Sequence, residues 1–274
     1  MLLLFLCFIV FSLPLAPVKE IKEDAQEKEV QVYIDRAYQS SYSDPVRAIS
    51  FSNTAILKAE LSGDRNLLCR ALVALGRSYV NLGSFDMGFE AFYNALDKCP
   101  PENKQLQAQI NVNIGHLYIS VGDIKKAFQF IERATELFTA LGDTAGIASC
   151  YNAEGLAYER IEEDEKAENS LKKALELNRQ LNDRKNIAAN LNNLGLLEGK
   201  PEERIKSLEE AIQLNKSLGA NWSLAENYNN LGTQYFFLKE YKRALEELNS
   251  AFVLATNSVS YTHLRAHETV LDLV

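Results

Sequence analysis

The side chains in this sequence best suited to holding another molecule are asparagines, and they recur at fixed places. Asn152, Asn192 and Asn229 each stand three residues before a glycine, and Asn113, Asn193 and Asn230 stand two before one. An asparagine amide both donates and accepts, so a row of them can pair with the backbone of an extended peptide whatever its side chains. Arg77, His116 and Arg160 belong to the same segments and could read an acidic ligand. These residues are the candidate binding site.

Chemistry of other kinds has little to stand on. The sequence contains no glycine-rich phosphate loop, no nucleophile elbow and no H-E-x-x-H. Glu162 and Glu163 fall at a turn between helical segments, where a solvated face explains them better than paired acid and base, because a general acid needs a pocket. His263 and His267 would share a helix face, but two ligands without a third make no metal site. Cysteines at 7, 69, 99 and 150 form no C-x-x-C and have no histidine beside them, so they read as small buried hydrophobes. No catalytic residue, metal or cofactor is assigned, and the chain reads as a binding protein and not an enzyme. With 29 Lys and Arg against 37 Asp and Glu, a net charge of -8 and no basic run, nucleic acid is disfavoured as a partner through this region. At 47% hydrophobic and 24% charged, the composition is globular and not disordered.

The asparagines recur because the segments that carry them recur. Gly76, Gly115, Gly155, Gly195 and Gly232 follow one another at steps of 39, 40, 40 and 37 residues. Twelve residues after four of these comes a small residue (Gly88, Ala127, Ala167, Ala244), and seven further on an alanine (Ala95, Ala134, Ala174, Ala251). Two antiparallel helices approach closely only where side chains are small, so these positions mark where a helical hairpin touches itself and its neighbour. Large residues fill the remaining face: Tyr79, Tyr118, Tyr158 and Tyr235 on the first helix, and Phe92, Ile131, Leu171 and Leu248 on the second. Turn signals such as Gly83-Ser84, Gly122-Asp123, Pro100-Pro101 and Leu141-Gly142-Asp143 fall between the helices.

This arrangement of glycine, tyrosine and paired small residues resembles the tetratricopeptide repeat family, and the copy from Cys69 to Pro100 matches it best, down to its closing proline. The copies run to about 40 residues instead of 34, which resembles the longer variety found in kinesin light chains and in the sensor regions of bacterial membrane signalling proteins. The resemblance implies an all-α, right-handed superhelical solenoid of antiparallel hairpins whose concave face is lined by the first helix of each pair. One copy departs from the pattern. From Gly195 to Arg204, where the second small residue is due, the distance is 9 residues instead of 12, and Glu198 replaces the tyrosine. About one helical turn is missing, so the first helix of that pair must end early.

The expected organisation is a signal peptide or N-terminal anchor over 1–17, a degenerate capping repeat over 18–63, five hairpins over 64–256 and an unassigned tail over 257–274. Residues 1–16 are apolar and uncharged and give way to a charged stretch from Lys19. They fall short of the roughly 20 residues needed to span a bilayer as a helix, which favours an export signal. The tail abandons the repeat, and its string SYTHLRAHET resembles translated sequencing adapter. The resulting expectation is an exported, periplasmic or extracytoplasmic scaffold that binds a protein or extended peptide along its concave face. The alternative is the sensory fragment of a membrane-bound signalling protein, a histidine kinase or transcriptional regulator, attached to the membrane through the N-terminal segment or a missing C-terminal part.

Overall fold

The computed structural model describes residues 18–197 and 199–257. The apolar segment, Glu198 and the two tail histidines lie outside the described residues. Among the described residues the chain forms twelve helices and no strand. They pair in sequence order as α1 (Val18–Ser40) with α2 (Pro45–Ser62), α3 (Arg65–Asn81) with α4 (Phe85–Lys98), and α5 (Lys104–Val121) with α6 (Ile124–Leu141). The series continues as α7 (Thr144–Glu159) with α8 (Asp164–Gln180), α9 (Arg184–Leu194) with α10 (Pro201–Leu218), and α11 (Asn221–Phe237) with α12 (Tyr241–Asn257). Each helix packs on the next, and first helices of neighbouring hairpins also touch. The result is a solenoid whose buried residues form a succession of hydrophobic clusters along the array. No helix of the described residues is long and apolar enough to cross a membrane.

The helix boundaries have local causes. Asp44, Asp64, Asn103, Asp123, Asp143 and Asp183 each accept a hydrogen bond from a backbone N–H in the first turn of the helix they precede. Several helices close on a left-handed residue, which is glycine at 63, 122, 142 and 219. Glu162, Asn182 and Lys239 occupy the same conformation without being glycine, at φ 61°, 56° and 62°.

The helix-packing glycines are needed for close approach. A Cβ on Gly76 would lie 2.6 Å from the Phe92 ring, one on Gly115 2.9 Å from Ile131, and one on Gly155 2.6 Å from Leu171. Gly195 faces Leu208 and Gly232 faces Leu248 in the same way. Each glycine on a first helix is thus a socket for the large residue of its own second helix. Gly88 shows the complementary contact, since its Cβ would meet Val80 of its own hairpin at 3.0 Å and Leu117 of the next at 3.3 Å. The shortened copy behaves as its spacing requires: α9 stops at Leu194, and Gly195 is already outside it.

Between hairpins the seam is aromatic. Phe89 lies 4.7 Å from Tyr118 and Phe128 lies 4.9 Å from Tyr158, ring centre to ring centre, each pair joining a second helix to the first helix of the next hairpin. The Tyr93 and Tyr118 hydroxyls meet at 2.8 Å. Cys69, Cys99 and Cys150 are buried and unoxidised, and burial raises each thiol above its usual range.

Candidate functional site

Successive first helices lie side by side, so residues that share a register form rows across the concave face. In the amino-terminal half these rows floor a groove of about 690 Å³. Tyr38 and the α1–α2 turn residue Tyr42 close one end; Val73, Arg77 and Asn81 come from α3, and Gln109, Val112, Asn113, His116 and Ser120 from α5. Ala145, Gly146 and Ser149 of α7 complete the floor. Arg77 and His116 each stand one residue after their glycine, which places guanidinium and imidazole on neighbouring helices.

The charge in this groove is unevenly satisfied. The Arg77 guanidinium sits 5.3 Å over the Tyr38 ring, a cation–π contact, and pairs with no carboxylate among the described residues. Burial raises the Tyr38 phenol, and Arg77 and Arg70 partly offset that rise. His116 is half-buried on the groove floor. Burial, aided by the Arg77 charge, lowers its pKa to about 4, so the imidazole is neutral near pH 7. Asp143, the carboxylate lining the groove, has both oxygens engaged. One accepts from the Gly146 N–H at 3.0 Å, the other from Gln105 Nε2 at 2.6 Å.

The asparagines expected to form the peptide ladder divide into three groups. Asn113 lines the groove, with its Nδ2 turned back to the Gln109 carbonyl at 2.8 Å. Asn152 and Asn192 serve the contacts between repeats. Asn152 Oδ1 accepts from Asn190 Nδ2 at 2.8 Å and Asn193 Nδ2 at 2.9 Å, while Asn190 Oδ1 accepts from Asn178 at 2.6 Å. One hairpin later Asn192 Oδ1 accepts from Asn227 and Asn230 at 2.8 and 2.9 Å, and Asn227 accepts from Asn215 at 2.6 Å. The side chains of Asn193 and Asn230 are therefore held inside this network, whereas Asn229, half-buried on α11, has no side-chain hydrogen bond among the described residues. Arg160 caps the end of α7, is exposed, and lies outside the groove lining.

Sequence reasoning missed the members that stitch the network together. Asn178 and Asn215, and likewise Asn190 and Asn227, repeat at 37 residues, the step of the shortened copy, and that repetition was the available signal. It also missed Gln109 and Tyr38 on the groove wall. Most unexpected is a contact between distant hairpins: the rings of Tyr42 and Trp222 stack at 5.9 Å with planes 19° apart. The superhelix has turned far enough for the sixth hairpin to meet the first. Among the described residues no group of three or more His, Cys, Asp or Glu side chains gathers as a metal site would require.

Residues 106–180 match the family model for the tetratricopeptide repeat. No curated protein matches the sequence at a significant level. Among solved structures, NprR in complex with its cognate peptide NprX superposes with a TM-score of 0.67 at 15% identity, covering 94% of this chain and 75% of that one. A Rap protein complexed with Competence and Sporulation Factor gives 0.66 at 15% identity, covering 86% and 79%. A signal transduction ATPase with numerous domains and a tetratricopeptide repeat sensor, from Pyrococcus horikoshii, gives 0.66 at 18% identity; 92% of this chain is covered but only 37% of that protein. Residues 106–180 are thus tetratricopeptide repeats by sequence, and the described chain as a whole shares the all-helical solenoid fold of these structures.

Proposed function

We propose that this protein is an exported scaffold that captures an extended peptide or protein segment along its concave groove, without covalent chemistry. The observation that carries this reading is the groove itself, whose floor crosses consecutive first helices and offers Arg77 and Asn81 from α3, Gln109, Asn113 and Ser120 from α5 and Ser149 from α7. Neighbouring helices pack about 8–10 Å apart, and an extended chain advances about 3.3 Å per residue. A bound strand crossing the helices would therefore bring equivalent backbone groups to successive helices roughly every third residue. The fold shared with NprR and with the Rap protein, whose structures hold a peptide and a competence factor, supports the same reading. Export is inferred from the apolar segment 1–16. A second reading, as the sensory part of a membrane-bound signalling protein, draws on that segment together with the fold shared with a repeat sensor.

The test must respect the asparagine network. Removing Asn152 would disturb the packing of repeats as well as any ligand, so Gln109→Ala and Asn113→Ala, which line the groove outside that network, are the informative changes. Titrating the protein with a library of extended octapeptides by fluorescence polarisation should reveal binders whose affinity falls about tenfold or more with the pair of changes. Binding untouched by both would remove the concave face from the account. Fusing residues 1–30 to a reporter active only outside the cytoplasm tests export separately.

A further inference from the structure

The groove floor carries one charge that the protein leaves unanswered. Arg77 is half-buried, stacked on Tyr38, and unpaired with any carboxylate among the described residues. His116 stands beside it at the same register, and its ring makes no hydrogen bond among the described residues. The acid that lines the same groove, Asp143, makes no ion pair with the arginine; its oxygens accept instead from the Gly146 N–H and from Gln105 Nε2. A cation walled by protein and lacking a counter-ion strongly favours an anion that supplies one, above all a carboxylate that a guanidinium fork can grip. We propose that Arg77 and His116 form a carboxylate-binding subsite that fixes one acidic group of the captured peptide. This rests on the capture reading and adds ligand chemistry to it.

The subsite has a pH signature. The titratable and charged groups that line the groove with His116 are Arg77 from α3, Tyr38 from α1, Tyr42 from the α1–α2 turn and Asp143 at the start of α7. With the groove empty, the imidazole is neutral until about pH 4. A bound carboxylate adds an opposite charge beside it and raises that pKa, so the complex holds a proton that the empty protein does not. Affinity should therefore rise as pH falls from about 7 towards 5, above the range where a peptide carboxyl itself protonates, near about 4.3.

The experiment uses the whole chain and three N-acetylated pentapeptides of serine and alanine. One is neutral and amidated, one is amidated with a central glutamate, and one is neutral with a free carboxy terminus. One or both acidic peptides should bind about tenfold tighter than the neutral one, and which of them does so identifies a side-chain or a terminal carboxylate. Arg77→Gln should erase that preference and Arg77→Lys should keep part of it, with circular dichroism confirming the fold. His116→Gln should flatten the pH dependence. Equal binding of all three peptides, or a preference that survives Arg77→Gln in folded protein, overturns the proposal. If none of the peptides binds, capture of such peptides fails, and the subsite is then judged alone by titrating acetate against the His116 ring signal in NMR. An upward move of its pKa sustains the subsite, and an unmoved one overturns it.

Discussion

At the scale of single residues, asparagine performs two tasks that look alike in one dimension. Asn190 is 1% exposed and sits at the centre of a chain of amides, accepting from Asn178 and donating to Asn152. A buried amide placed in this way joins three helices and leaves little freedom to slide, because a shift of one register would orphan several donors at once. Replacing it by alanine strands the Asn178 amide in the core. Asn190→Ala is expected to cost about 2 kcal/mol, seen as a lower urea midpoint with an unchanged slope. The same change at Asn229, which has no such partners, should be nearly silent in that measurement. Asparagine spacing announced the row in the sequence, but only the hydrogen-bond partners separate stitching residues from those available to a ligand.

At the scale of elements, each hairpin is a first helix with a glycine socket and a second helix with a large residue to fill it. The turns are less uniform. Seven residues after the packing glycine, the chain enters the left-handed region at Gly83 and Gly122, but at Glu162 and Lys239 a side chain adopts the same φ. A Cβ in that region costs roughly 1–2 kcal/mol, so Lys239→Gly, at an exposed turn, should stabilise the protein by about 0.5–1 kcal/mol after the entropy of the new glycine is subtracted. Thermal unfolding of the variant checks the sign, and a lower midpoint would mean that Lys239 makes a compensating contact. The repeat period places both turns from the sequence. Which of them are strained follows from the residue type once the register is known.

At the scale of the whole molecule, the stack of Tyr42 on Trp222 is the departure from a linear array. A solenoid is ordinarily held by nearest neighbours alone, whereas this contact joins the first hairpin to the sixth through Tyr42, which also lines the groove. Trp222 is the single tryptophan of the chain and reports on this closure. Tyr42→Ala should shift its emission to longer wavelength and lower stability by about 1 kcal/mol, coupling the ends of the array less tightly. Unchanged emission would mean that the two ends do not meet in solution. Because Tyr42 also lines the groove, a ligand that displaces its ring should change the same signal.

The helices, their pairing and the early end of α9 are legible in the amino-acid sequence. These rest on spacing within about 40 residues: a glycine opposite a leucine or phenylalanine, a cap before a helix, a turn after it. It also placed Arg77, His116 and Asn113 on the concave face, because register along a helix fixes which side a residue occupies. Which asparagines bond to one another, which charge goes unanswered and where the ends of the array meet emerge only once the hairpins are stacked. Those outcomes depend on the rotation from one hairpin to the next, summed over six, and small differences in side-chain packing at each interface set that rotation without leaving a local pattern to read.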